Sequence, residues 1–481
     1  MMLSLWKNTA CRQLAAWLLG LGLITGMAPT ALAGSGFSSE QLQTRLYQRR
    51  AVEAALWGMP LVNFDAMRQA YFRDAGAQYN DIMYWSRPSD WKNQTTTPNH
   101  STIYVMFFVN LKNGPLVVDI PPVRGASLYG GLVDAWTTPQ INVGSLGQDQ
   151  GKGARYLLLP PGWEGEVPAG YVAVRSQTNN VYSLLRVITR TTGTADLAAG
   201  VDYLKNLKVY PLAEAQSPKA NRYLDVADKV YDAIARFDES FYDSLARVVA
   251  EEPVQERDLA VMGQLRSLGI GKGLTFQPDA AQRKQLGEAV AEAHAYMMEG
   301  YANSGNPLWP QRQWRTLADM KLAVSSLLSF VEPKQALRTD ERAFAWFGMF
   351  GPIIPPAPHL YLKSYATNTG ERLSGEHSYR LHIPAQVPAR DFWSVDVYDA
   401  STAGFIREAK VVGLDSYDQK LQVNADGSID LYFAPTPPKG HENNWISTRA
   451  GEKFFTLFRV YGLDKQAMVQ QHWLLEDIQK L

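Results

Sequence analysis

The chain has 481 residues, 46% hydrophobic and 11% aromatic, with 13 Trp and 23 Tyr. Its 47 basic and 47 acidic side chains cancel, and no basic block stands out, which argues against nucleic acid as a partner. The one cysteine, Cys11, lies near the start, so disulfides, thiolate nucleophiles and cysteine metal centres are excluded elsewhere.

Residues 1–33 read as a secretory signal. Lys7 and Arg12 give the positive start, Leu14 to Met27 is an uncharged apolar run, and Ala31-Leu32-Ala33 is a small-x-small cleavage site. The run is short for a membrane span, and no later stretch is long and apolar enough for one. The expectation is a soluble periplasmic or secreted protein with no membrane contact after signal removal.

Ser38 to Leu56 is predicted to be a helix, capped by Ser38 or Ser39 and ended by Gly58 and Pro60. Short strands follow at Ile103–Leu111, Pro115–Ile120, Ser127–Val133, Arg155–Leu159, Tyr171–Arg175 and Val181–Thr189, separated by Gly, Pro and Asn. Ser217 to Val331 reads as helical. Val226, Val230, Ile234 and Phe237 would line a first helix, Leu259, Met262 and Leu265 a second, and Ala280–Tyr301 a third, with a fourth over Met320–Phe330. Strands return at His377–Ile383, Phe392–Tyr398, Ser428–Phe433 and Lys453–Tyr461, with a tight turn at Asn424-Ala-Asp-Gly427. The predicted fold is mainly β with a helical insert: a first sandwich with its N-terminal helix over 34–215, a helical segment over 216–345, and a second sandwich over 346–481.

Two polar clusters stand out. Thr95 to Thr102 is a dense polar stretch just ahead of an apolar strand, and reads either as a strand-starting turn or as a loop presenting His100 for acid–base work. Gly440 to Trp445 (GHENNW) reads either as a turn buttressed by Trp445 or as a hydrogen-bonding floor with an aromatic wall. Other patterns carry less. Gly269 to Gly273 (GIGKG) lacks the spacing of a phosphate loop, and no Gly-x-Ser-x-Gly elbow occurs. The odd spacings of His377 with His382, and of Asp391 with Asp396, place each pair on opposite strand faces.

Thr97-Pro-Asn-His-Ser-Thr-Ile-Tyr104 resembles the T-P-N-x-D-T-x-Y signature of the bacterial domain of unknown function 1254. Pro160-Pro-Gly-Trp163 and Leu268 to Gly273 also match it. Phe392 to Val395, Asn424 to Ser428, Asn443-Asn444-Trp445, Arg459-Val460-Tyr461 and Trp473 resemble its usual partner, domain of unknown function 1214. The resemblance implies two jelly-roll-like β parts joined by a helical part, and carries no settled mechanism. The signature's usual acid is Ser101 here. Beyond Phe392-Trp-Ser394, where many members have an N-R-Y-like segment, this chain has Gly404 to Arg407, and only Arg407 keeps the charge.

The leading expectation is a protein that binds or hydrolyses a small neutral or sugar-like molecule. His100 and His441 are the catalytic candidates. Asn99, Thr102, Tyr104, Trp136, Trp163, Asn444, Trp445 and Arg459 are the ligand-binding ones. No metal site or cofactor is expected, and a homo-oligomer is left open. An assembly role is the alternative. A weaker one is a cupin-like metal enzyme built on His359, His377, His441 and Glu442.

Overall fold

The computed structural model describes residues 36–355, 357–470 and 472–481. The expected signal segment and Cys11 lie outside them. Among the described residues the chain is mostly strand, in six sheets, with 28% helix.

Strands Ile103–Asn110, Ser127–Asp134, Pro139–Gly144 and Asn180–Ile188 join Ile82–Tyr84 and Tyr223–Asp225 in a six-stranded sheet. One face packs on the four-stranded sheet of Leu116–Ile120, Ala154–Leu159, Val172–Arg175 and Lys208–Pro211. Alternation along Ile103–Asn110 explains this. Ile103, Val105, Phe107 and Val109 face the sandwich interior, while Tyr104, Met106 and Phe108 face the opposite way into a second core. The C-terminal half repeats the scheme. A five-stranded sheet centred on Phe454–Leu463, between His359–Ser364 and Ala389–Asp399, packs on a four-stranded sheet that includes Tyr379–Ile383 and Ile429–Ala434.

Two helical expectations need correction. The first helix does not stop at Gly58 and Pro60 but runs Ser39–Arg73. A Cβ at Gly58 would lie 2.6 Å from Leu245, so the glycine lets helix Phe241–Glu251 approach closely. Pro60 removes one helical donor, but the same region is tied down from outside: Arg342 donates to the Trp57 carbonyl at 2.8 Å and Thr137 to the Pro60 carbonyl at 3.1 Å. From Ala51 to Tyr71 almost every residue is buried, and that packing outweighs the local breaking signal. Second, Val226 to Phe237 is not helical. Tyr223–Asp225 pairs in parallel with Ile82–Tyr84, and Tyr231–Asp232 with Asn93–Gln94, so sheet pairing overrides the helical spacing. Helix Ala280–Asn303 forms as expected and opens with a reciprocal Asp279/Gln282 capping box.

Candidate functional site

The outward faces of the two larger sheets, with the buried part of the first helix and the helices around it, enclose the second core. Its polar edge gathers chemistry from both halves.

On the N-terminal sheet Arg186 stands between Tyr104 and Tyr129, its register partners on the two flanking strands. The guanidinium lies 5.4 and 5.8 Å from the two ring centroids. On the C-terminal sheet the central strand places Arg459 beside Tyr361 and Ser394, and Tyr461 beside His359 and Phe392. The two patches meet, since the Tyr129 hydroxyl is 3.3 Å from His359 Nε2. Tyr104, Tyr129 and Tyr461 are buried, whereas Arg186, His359 and Tyr361 keep partial exposure, so solvent reaches the cluster.

The two arginines differ. Arg459 is saturated: it donates to Asp396 at 2.5 Å, to the Tyr398 hydroxyl at 2.6 Å and to the Thr97 carbonyl at 2.8 Å. Among the described residues Arg186 has no ion-pair partner, and its buried Nε has no acceptor. Burial first, then the Arg186 charge, pushes the pKa of His359 down to about 4, so this ring is neutral at pH 7.

The Thr97–Ser101 loop closes the edge. Thr97 sits at φ 42° ahead of Pro98, a conformation that β-branched residues avoid, and it is held from outside. Its Oγ1 donates to the Gly348 carbonyl at 2.7 Å, and Tyr398 donates to the Pro98 carbonyl at 2.6 Å. Asn99 is the keystone. Its N–H donates to the Tyr104 hydroxyl at 3.0 Å, its Oδ1 accepts from the Ser101 N–H at 2.5 Å, and its Nδ2 donates to the Tyr461 hydroxyl at 2.5 Å.

His100 follows. Its Nδ1 is 2.5 Å from Asp396 Oδ1, and its Nε2 is 3.5 Å from Asp415 Oδ2, with Asp418 close by. Burial opposes a charged ring, yet attraction and a hydrogen bond from Asp396, helped by Asp415 and Asp418, raise its pKa to about 9. Burial likewise opposes the Asp396 charge, but His100 and Arg459 hold that carboxyl below its usual range. Gly413, register partner of Asp396, makes room, because a Cβ there would stand 2.6 Å from His100 Nδ1 and 2.7 Å from Asp396 Oδ1.

The sequence candidates thus divide. Asn99, His100, Tyr104 and Arg459 converge, and Thr102 is buried next to them in the chain. His441, Asn444 and Trp445 form a separate turn. His441 is exposed and stacks on Tyr432 at 4.4 Å. Asn444 donates to the Gln422 and Asp430 carbonyls, and Trp445 to the Ala434 carbonyl at 2.8 Å. Trp136 is buried against Trp57, and Trp163 packs on the outer face of the four-stranded N-terminal sheet. His359, His377, His441 and Glu442 form no metal-ligating group among the described residues. Arg186, Tyr129, Tyr361, Tyr461, Asp415 and Asp418 escaped the sequence reading. Within Ala389–Asp399 the pairing shifts register between Ala389 and Phe392, so simple alternation does not hold at Asp391, and no local pattern could show that Asp396 meets His100 across 296 positions.

Residues 79–211 match the family model described as protein of unknown function DUF1254, and residues 358–465 match that of DUF1214. The chain belongs to this two-part family. Both matched segments supply the cluster, Asn99 to Arg186 from the first and His359 to Tyr461 from the second. Among solved structures the chain is similar to the VPA0106 protein from Vibrio parahaemolyticus. The two are 18% identical with a TM-score of 0.53, over 90% of this chain and all of that one. It is also matched with an uncharacterized protein from Burkholderia cenocepacia, at 15% identity and a TM-score of 0.39 over 92% and 95% of the two chains. No curated protein is significantly similar.

Proposed function

We propose that this family member binds a small molecule bearing a carboxylate or similar anion, at the tyrosine-lined edge between its two β halves. The observation that carries the reading is Arg186, a guanidinium held between two tyrosine rings with no ion-pair partner among the described residues. Leaving such a charge uncompensated is costly, and a planar anion would satisfy it through two parallel N–H donors. Tyr361 adds partly exposed ring surface backed by the buried Tyr461 and Phe392, and neutral His359 offers a hydrogen bond without repelling Arg186 further. The ligand inferred is therefore an anion with an aromatic or polar ring rather than a neutral sugar. The signal-like residues 1–33 favour a periplasmic or secreted setting.

Binding is preferred to histidine-assisted hydrolysis. Both ring nitrogens of His100 face carboxylates, Asp396 at 2.5 Å and Asp415 at 3.5 Å, so neither is turned to a water beside Arg186. The test is a thermal-shift and calorimetric comparison of benzoate and 4-hydroxybenzoate with benzamide. Only the carboxylates should raise the melting temperature, and Arg186→Gln should abolish the rise. Equal shifts with benzamide, a shift that survives Arg186→Gln, or no shift with either acid overturns the reading.

A further inference from the structure

We propose that His100, Asp415 and Asp418 form a site for a divalent transition-metal cation, at the seam between the two β halves. One ligand atom from each lies within 4.8 Å of the others, which suits three donors on one ion. Three further features favour an ion over a chance cluster.

The first is orientation. His100 Nδ1 bonds Asp396 at 2.5 Å, and Asp396 is in turn held by Arg459, so the ring is fixed with Nε2 turned towards Asp415. A carboxylate behind a histidine is how proteins orient an imidazole whose other nitrogen binds metal. The second is vacancy: Nε2 is buried and, though 3.5 Å from Asp415 Oδ2, makes no hydrogen bond among the described residues. The third is that the carboxylates are themselves positioned. Asp415 Oδ1 accepts from the Tyr417 N–H at 2.8 Å, and Asp418 Oδ2 accepts from the Asp415 N–H at 2.9 Å, which leaves one oxygen of each for an ion. Gly413 supplies the cradle, as any side chain there would push His100 off Asp396.

One imidazole with two carboxylates suits Mn²⁺, Fe²⁺ or Zn²⁺ better than Ca²⁺ or Mg²⁺, which prefer all-oxygen sets. Asp418 is exposed, so the remaining coordination positions face solvent. Because His100 comes from the N-terminal half and both acids from the C-terminal half, the ion would link the halves. The site shares no ligand with Arg186 and stands whether or not the anion reading does.

The experiment is calorimetric titration of the full-length protein, stripped with chelator, with Zn²⁺ and separately Mn²⁺. Binding of one ion per chain is expected for at least one of them. Asp418→Asn changes an exposed side chain and should fold normally, yet weaken binding at least tenfold. Asp396→Asn should weaken it by roughly ten- to a hundredfold through the misoriented ring. No saturable binding in the unaltered protein, or less than tenfold weakening in a folded Asp418→Asn variant, overturns the proposal. Arg186→Gln serves as the control that should leave metal affinity unchanged.

Discussion

His100 and His359 sit at the same seam with opposite charge preferences, and pH should separate them. The His100 pKa is raised to about 9 and that of His359 lowered to about 4, against an ordinary value of about 6.5. For His100 the folded value is the higher, so its contribution is complete below about pH 6.5 and is lost as pH rises through 9. For His359 the folded value is the lower, so its contribution is complete above about pH 6.5 and is lost as pH falls towards 4. In metal-free protein the urea midpoint should therefore decline on both sides of about pH 6.5. His100→Gln should flatten the alkaline limb and leave the acid limb in place. If both limbs survive that substitution, the assignment of the alkaline limb to His100 is wrong. Asn99 offers a second residue-scale test. Replacing it by alanine keeps the backbone bond to Tyr104 but removes both side-chain hydrogen bonds and leaves the Tyr461 hydroxyl without its amide donor, at a cost of about 2–4 kcal/mol in denaturant unfolding. A loss below about 1 kcal/mol would mean that the loop relaxes freely.

At the scale of elements, much of the β framework was legible in the sequence. Strands expected at Ser127–Val133 and Val181–Thr189 are found at Ser127–Asp134 and Asn180–Ile188, because β-branched and aromatic runs between Gly, Pro and Asn leave little choice. The failures came where distant partners decide. Gly58 and Pro60 are stop signals by local rules, but Leu245, Thr137 and Arg342 are out of local view. Val226 to Phe237 has helical spacing, but parallel pairing captured the residues just before it, on Ile82–Tyr84, and two within it, on Asn93–Gln94. The Gly58–Leu245 contact makes this testable. Gly58→Val should cost about 2–3 kcal/mol by overpacking, and Leu245→Ala in the same chain should recover part of that. Additive losses in the double variant would show that the close approach is not the cause.

For the whole molecule, the polar loop at Thr95 to Thr102 was visible in the sequence because polar residues rarely crowd the start of so apolar a strand. Its partners were not visible. Arg186, Asp396, Asp415 and Tyr461 each look like ordinary strand or turn residues, and only tertiary structure brings them to one edge. The GHENNW turn had the same surface signals as the first cluster, yet its amides and indole are spent on backbone carbonyls. Composition could not tell these cases apart, since both use the same residue types to satisfy buried backbone.

The first long helix also sets the order in which the molecule can be made. Its buried stretch is held by Tyr242, Asp258, Arg342 and the carbonyls of Trp346 and Met349. Those partners follow it by nearly 200 to nearly 300 positions, so a ribosome releases the helix, and the earlier partners Phe108, Trp136 and Tyr182, long before its cover is complete. Until Met349 is synthesised, the segment can bury only part of its apolar surface, and completion of the central core is late. A chain whose central core stays incomplete until its last third appears is open to whatever binds unfolded polypeptide first, whether chaperone, protease or translocation machinery.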